Sequence, residues 1–330
     1  MLKKKCPYFE LCGGCVWQNL STDEYIAKKQ NFVSYSFRDV GIDQIPIRPL
    51  VILPTGIRRR ASFSLIKGHI GFNQAKSHRI IEIEKCPLLT PIINKTLPVL
   101  RTVFEKTNLT GDLFVLDTDN GIDLHIKTKS PINLPLKILE LLTQLAQTPQ
   151  IIRLVYNQQP LFEKIPLPAF ADTFMQPSKI GEETLIKIVL DNIESAKNAV
   201  DLFCVRGTFT RPLLQQGITT IGYDSVPESV QILGKNGCVR DLFRSPLTPS
   251  ELKNVDLVVL DPPRAGALAQ VQQLANTNIP KIIMISCDPK TAARDCHILL
   301  QSDYQIESIT PIDQFTYSNH IEIVVVLIKK

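Results

Sequence analysis

The sequence predicts an α/β chain in two parts: a Rossmann-like sheet closed by a terminal antiparallel strand, preceded by an α+β region. Three observations carry this. Beyond about residue 169, β-type runs alternate with helical stretches, and several runs end in a carboxylate or a cysteine. The last two runs, Tyr304 to Thr310 and His320 to Ile328, are joined by a connection too short for a parallel crossover. Ahead of the change in pattern at Pro166-Leu167-Pro168, hairpin signals and helical periods interleave. The expected domains are therefore 1–168 and 169–330, as a chain of 330 residues would suggest.

The first part opens on Cys6, Cys12 and Cys15, a C-x5-C-x2-C array, with Cys86 following in Glu84-Lys85-Cys86-Pro87. Four thiolates suit either tetrahedral zinc or an iron–sulfur cluster. Three close ligands, one distant one and a proline beside the last lean towards a [4Fe–4S] cluster, with zinc as the alternative. Ser21-Thr22-Asp23-Glu24 reads as a capping box opening a helix that ends near Gly41. Ala61 to Leu65 and His69 to Phe72 form a hairpin with a basic entrance, Arg58-Arg59-Arg60. Asp119-Asn120-Gly121 marks a second hairpin, and helical patterns occupy about 91–105 and 134–146. Arg58, Arg59, Arg60, Lys76, His78 and Arg79 are candidate phosphate contacts, although charges on a strand edge also discourage aggregation.

In the second part, Phe174-Met175-Gln176-Pro177 precedes a helix expected from about Ser178 to Ser195. A buried strand, a tight loop and a helix follow in Ala199 to Thr210, with Asp201, Phe203, Cys204 and Gly207 in the strand and loop. The next strand, Thr219 to Asp224, ends in an acid about 20 residues beyond the turn, where a nucleoside cofactor presents its ribose hydroxyls. Another runs from Val255 to Asp261 and is followed by Pro262-Pro263-Arg264. Lys281 to Cys287 then ends in a loop whose Pro289 starts a helix, which places Cys287 at a strand's carboxyl end beside a helix N-terminus that favours the thiolate. Taken alone, Cys287 could equally be a small buried hydrophobe.

The totals bound the function. No apolar run approaches a membrane span, and the basic start lacks the apolar core of a secretory signal, so a cytoplasmic protein is expected. Through residue 170 there are 22 Lys+Arg against 14 Asp+Glu, and 15 against 18 after it, net +8 and −3. A basic front half suggests a polyanion held there, with chemistry done in the other half. Eight cysteines in such a chain read as metal or catalytic groups rather than disulfides. Cys204, Cys238 and Cys296 are most simply core thiols.

Taken together, the motifs resemble the RNA uracil-5-methyltransferase family, in its iron–sulfur-containing type acting on large-subunit ribosomal RNA. The resemblance spans nearly the whole chain. It rests on Cys6/Cys12/Cys15/Cys86, Phe174-Met175-Gln176-Pro177, Asp201-Leu202-Phe203-Cys204, Asp261-Pro262-Pro263-Arg264-Ala265-Gly266, Ser286-Cys287-Asp288-Pro289-Lys290-Thr291 and His320-Ile321-Glu322. It implies a class I methyltransferase sheet, S-adenosyl-L-methionine as cofactor and a [4Fe–4S] cluster on the four cysteines. Gln176 and Asp224 would contact the cofactor, the loop from Asp201 through Phe203 to Gly207 would wrap its methionine end, and Asp261 would orient cofactor or base. Cys287 would be the nucleophile and Glu322 the base. RNA is the expected partner, ribosomal 23S first and transfer RNA as the alternative, with no membrane and no obligate protein partner. The family's N-terminal RNA-binding β-barrel has no counterpart here.

The family's usual loop glycine is Val205 in this chain, followed by Arg206. A catalytically weak RNA-binding iron–sulfur protein is therefore a second alternative. The implied chemistry is coherent on its own terms. Carbon 5 of uracil is a weak nucleophile until a thiolate adds at carbon 6, and the hydrogen at carbon 5 must later leave to a base.

Overall fold

The computed structural model describes residues 6–129, 134–167, 171–172 and 174–330. In chain order, α1 (Thr22–Arg38) and β1 (Val51–Ile52) come first, then β2 (Arg60–Ile66), β3 (His69–Asn73) and β4 (Ile80–Ile81). Next are α2 (Pro91–Phe104), β5 (Gly111–Thr118), β6 (Gly121–Thr128), α3 (Leu136–Ala146), β7 (Ile151–Tyr156) and β8 (Gln159–Glu163). The chain continues through α4 (Lys179–Leu190), β9 (Asn198–Leu202), α5 (Thr210–Gln215), β10 (Thr219–Asp224) and α6 (Pro227–Val230). It finishes with β11 (Gly237–Val239), β12 (Leu257–Leu260), α7 (Leu268–Leu274), β13 (Lys281–Ser286), α8 (Pro289–Leu300), β14 (Tyr304–Asp313) and β15 (Glu322–Lys329).

These elements form two compact units that interleave along the sequence. One holds residues up to Asn19, Pro54–Lys179 and Thr316–Ser318; the other holds Leu20–Leu53, Ile180–Phe315 and Asn319–Lys330. This differs from the expected 1–168 and 169–330 division, whose boundary itself lies outside the described residues. The reason is amphipathic. The capping box of Ser21 and Glu24 starts α1 as predicted, and its buried stripe includes Val33 and Phe37. That stripe shares a core with Ala292, Ala293 and Cys296 of α8, while β1 pairs in parallel with β14. Leu20–Leu53 thus buries its apolar face in the second unit.

The first unit carries a seven-stranded sheet in the order β4-β3-β2-β5-β6-β7-β8. Both predicted hairpins are present, β2–β3 and β5–β6. Phe63, Leu113, Leu124 and Leu154 share a core with Ile93, Leu97 and Phe104 of α2 and Leu142 and Leu145 of α3.

The second unit carries an eight-stranded sheet in the order β1-β14-β15-β13-β12-β9-β10-β11. Its pairings are parallel except for those of β15, which runs antiparallel to both β13 and β14. The short-connection argument therefore holds for β14–β15. One expected helix is shorter than its pattern. The one predicted to reach Ser195 ends at Leu190, where Asn192 turns its side chain back to the Ile188 carbonyl and Glu194 takes a left-handed φ of 48°. Between β10 and β11 only a four-residue helix and a 3₁₀ turn fit. Among the described residues no helix is long and apolar enough to cross a membrane.

Candidate active site

Because β9, β10, β12 and β13 are mutually parallel, their carboxyl ends share one edge of the sheet. The opposite direction of β15 brings its first residue to that same edge. Asp201 lies near the end of β9, Asp224 ends β10, Asp261 follows β12, Cys287 follows β13, and Glu322 opens β15. The last registered pair of β13 and β15 is Ser286 with Ile323, so the next step outward sets Cys287 against Glu322. Residues scattered over 120 positions are thus gathered at the strand ends, where open α/β sheets bind ligands.

Cys287 sits between β13 and α8, as its Pro289 foretold. Asp288 is the helix N-cap, its side chain accepting from the Lys290 N–H at 3.0 Å. That cap occupies one of the N-terminal donors expected to favour the thiolate. The outcome is opposite to the expectation. Burial and the carboxylates of Glu322 and Asp261 push the Cys287 thiol up to about 11, with Arg264 pulling partly back.

The acids raise one another too. Burial and then Asp261 hold Glu322 well above the usual carboxylate range. Burial and then Asp201 raise Asp261 to about 7. Asp201 is also raised to about 7 by burial, against hydrogen bonds from Thr210 and reinforced by Asp224. Such a gathering of carboxylates is a site awaiting positive charge or donors.

The loop after β9 shows where these come in. Asp201 Oδ2 accepts from the Thr210 N–H at 2.8 Å and its hydroxyl at 2.6 Å, while Oδ1 is buried with no hydrogen-bond partner. Asp224 accepts from the N–H of Val205 and of Val226, both at 3.0 Å, and each oxygen keeps a second lone pair. The backbone between them is contorted: Phe203 has φ 62°, Val205 47° and Gly207 79°. A Cβ on Gly207 would lie 2.4 Å from Leu233, so that glycine answers both torsion and space. Val205 holds the same left-handed region with a β-branched side chain. An orphaned carboxylate oxygen, a bent backbone and the free lone pairs of Asp224 fit the ammonium and hydroxyls of an S-adenosylmethionine molecule. Phe203 is buried with its ring 5.3 Å from Phe243. Gln176 falls in the first unit, buried, its carbonyl accepting from Arg59 Nε at 3.0 Å.

Two residues beside the site were not singled out by sequence. Arg264 places a terminal nitrogen 3.1 Å from His320 Nδ1 and its Nε 3.5 Å from Asp288 Oδ2. The His320 ring thus faces Arg264. Lys29, fully buried on α1, reaches the carbonyl of the same His320. The signal available in sequence was its spacing, four residues after Tyr25 and four before Val33.

The four N-terminal cysteines fall together in the first unit. Cys15 is pushed up to about 11 by burial and by the negative charges of Cys86, Cys12 and Cys6, while Gln18 opposes. The Gly14 N–H lies 3.4 Å from the Cys12 sulfur, and the Leu89 N–H donates to the Cys86 carbonyl at 3.2 Å. Gly13 is needed because a Cβ there would crowd the backbone of Asn73 and Ala75 at 3.0–3.1 Å. The four thiols are in mutual electrostatic reach, but among the described residues no three of their sulfurs lie within 4.8 Å of one another. The triple arginine is put to internal use. Arg58, Arg59 and Arg60 are half-buried and each donates one N–H to a carbonyl, of Arg60, Gln176 and Asp172 in turn. Lys76, His78 and Arg79 are exposed. Of the expected core thiols, Cys204 and Cys296 are buried but Cys238 is exposed in the middle of the short edge strand β11.

A family model described as tRNA (Uracil-5-)-methyltransferase matches residues 239–330, which include Cys287 and Glu322. An RNA methyltransferase of Agrobacterium fabrum is 35% identical over 96% of this chain and 82% of its own length. The 23S rRNA (uracil(1939)-C(5))-methyltransferase of Vibrio parahaemolyticus is 26% identical over 96% of this chain and 80% of its own. Among solved structures, the tRNA (uracil-54, C5)-methyltransferase of Pyrococcus abyssi in complex with S-adenosyl-L-homocysteine superposes with a TM-score of 0.73. It is 21% identical, covering 96% of this chain and 86% of that one. The chain belongs to a family of RNA methyltransferases, and its residues 239–330 match the tRNA (Uracil-5-)-methyltransferase model.

Proposed function

We propose that the protein methylates carbon 5 of a uridine in 23S ribosomal RNA through a covalent bond between Cys287 and carbon 6 of the base. The observation that carries this is the placement of Cys287 across from Glu322, with Asp261 beside them at the strand ends. S-adenosylmethionine, when bound, supplies an electrophilic methyl group and departs as S-adenosylhomocysteine. The Cys287 thiolate adds to carbon 6, and the electrons of the 5,6 double bond move towards carbon 4 as an enolate. The enolate carbon takes the methyl group. Glu322 then accepts the proton from carbon 5, the double bond re-forms, and the Cys287 sulfur leaves with its electron pair.

The remaining residues bind and orient. Asp201, with its orphaned oxygen, and Asp224, Phe203 and Gly207 would hold the cofactor. Asp261 would orient the uracil. The target atoms are inaccessible in stacked RNA, so the nucleotide is flipped out, as for other enzymes acting on a base. Cys6, Cys12, Cys15 and Cys86 would hold a [4Fe–4S] cluster, and the exposed Lys76, His78 and Arg79 would meet RNA phosphates. The ribosomal substrate is favoured by the four-cysteine motif and by the named substrate of the Vibrio relative; transfer RNA is the other reading, favoured by the named substrate of the Pyrococcus structure.

Mapping 5-methyluridine in 23S and transfer RNA from cells with and without the protein tests the proposal. Loss of one 23S site, restored by the wild type and not by Cys287→Ala, is the expected result. Loss of a transfer RNA site instead would reassign the substrate, and full methylation by Cys287→Ala would refute the adduct.

A further inference from the structure

The buried face of α1 carries Tyr25, Lys29, Val33 and Phe37 at successive intervals of four residues. Three of these suit a core position and Lys29 does not. An ammonium removed from water is tolerated only where it is paired and its donors are satisfied. Lys29 Nζ lies 2.9 Å from Asp313 Oδ1, with both side chains fully buried, and Tyr25 donates its hydroxyl to Asp313 Oδ2 at 2.5 Å. Nζ also donates to the Phe315 carbonyl at 3.2 Å and to the carbonyl of His320.

These acceptors are not a random set. Asp313 is the last residue of β14, Phe315 lies just beyond it, and His320 is two residues before Glu322, the first residue of β15. One ammonium therefore fastens both ends of the β14–β15 connection. The side chain of His320 is held as well, by Arg264, whose Nε faces the Asp288 that caps the helix after Cys287. Backbone and side chain just ahead of Glu322 are thus fixed from two directions. A well-packed apolar pair at 29 and 313 would stabilise the core about equally, so cohesion alone does not explain the buried charges there.

We infer that Lys29 is a positioning residue for the methylation reaction, setting the start of β15 so that the Glu322 carboxylate meets the hydrogen on carbon 5. The inference rests on the proposed role of Glu322 as the base. Lys29 acts through the backbone and touches no reacting atom, so its loss should slow the proton-removal step and spare the steps before it.

The test uses the full-length protein with RNA from cells lacking it, and with transcripts of the same target carrying 5-fluorouridine or 5-deuterouridine. Lys29→Met leaves Asp313 buried and unpaired and is prone to misfold, so the main variant is Lys29→Met/Asp313→Leu, which replaces the pair by apolar side chains. A fluorine at carbon 5 cannot leave as a cation, so the covalent complex forms and persists without the base step. Expected are wild-type-like adduct formation on fluorouridine RNA and an unchanged Kd for S-adenosylmethionine. On uridine, kcat should fall about 10- to 100-fold with KM little altered, and the deuterium isotope effect should rise as proton removal limits the rate. Wild-type kcat with an unchanged isotope effect would overturn the inference. Equal losses of adduct formation and cofactor binding would also overturn it, because they mark general damage. If the wild type itself forms no adduct, the proposed function fails, and this inference with it.

Discussion

Glu322 lies across the β13–β15 ladder from Cys287, one step beyond the registered pair Ser286–Ile323, and its charge raises the proton affinity of the thiol. The proposed nucleophile and the proposed base are thereby set at the same end of two adjacent antiparallel strands.

Their division of labour predicts two unlike phenotypes. Cys287→Ala should abolish both methylation and the denaturant-resistant protein–RNA complex. Glu322→Gln should slow turnover by about 10²- to 10⁴-fold, the usual worth of a general base, while the complex accumulates. Denaturing gels with labelled RNA read both. Equal absence of the complex in the two variants would contradict the assignment.

A second expectation concerns pH. The free thiol is pushed up to about 11 by burial and by the neighbouring carboxylates, so alkylation of Cys287 should still be rising with pH well above neutrality. An anion beside a thiolate penalises it, and removing that anion lowers the thiol pKa. Glu322→Gln should therefore move the alkylation profile of the Cys287 peptide, followed by mass spectrometry, to lower pH.

Asp201 links stability to function. Its pKa in the folded chain, about 7, lies above the unfolded value of about 4. The stability it confers is complete below the unfolded pKa and is lost as pH rises through the folded one. Asp201→Asn should remove that decline, making the variant the more stable at pH 8 by up to about 4 kcal/mol, at roughly 1.4 kcal/mol per pH unit. The same variant should lose S-adenosylmethionine binding by calorimetry. Thermal melts at pH 5 and pH 8 separate the two effects.

Val205 predicts a gain. A β-branched residue held at φ 47° costs about 1–3 kcal/mol, which glycine largely avoids. Val205→Gly should raise Tm by a few degrees and tighten S-adenosylmethionine severalfold, since the loop would no longer be strained against its preferred shape. A fall in both would show that the Val205 side chain contributes packing that outweighs the torsion.

For the cysteine centre, Cys86→Ser should lower bound iron and sulfide and remove the visible absorbance of protein purified without air. Cys238→Ser should leave both unchanged. Zinc in place of iron in the anaerobic wild type would identify the alternative metal.

How far the sequence speaks depends on the range of the interaction. Cys287 and Pro289 are legible because a strand end and a helix start are local events, and Glu322 because a short connection forces an antiparallel return. The acidity of Cys287 is not legible. Proline and the helix start suggest a favoured thiolate, but the carboxylates that reverse the sign come from β15 and from the end of β12. Lys29 was invisible for the same reason, since Tyr25 and Asp313, which share its network, are 288 residues apart. The internal bonds of the arginines at 58–60 are not legible either, since the carbonyls of Gln176 and Asp172 that accept from Arg59 and Arg60 lie more than 100 positions away. The interleaving of the two units follows from α1, whose period announces an apolar face without naming what it packs on.

The position of β15 in its sheet also sets an order of assembly. It is flanked on both sides, by β13 and by β14, yet it is synthesised after every strand it joins. A nascent second unit therefore has a slot in the middle of its sheet, and α1 and β1, made first, must wait for partners made last. Such distant pairings delay folding and leave open strand edges exposed meanwhile. The reactive arrangement is thus among the last features to form, and a ribosome-bound chain lacking β15 should have a nucleophile but no base.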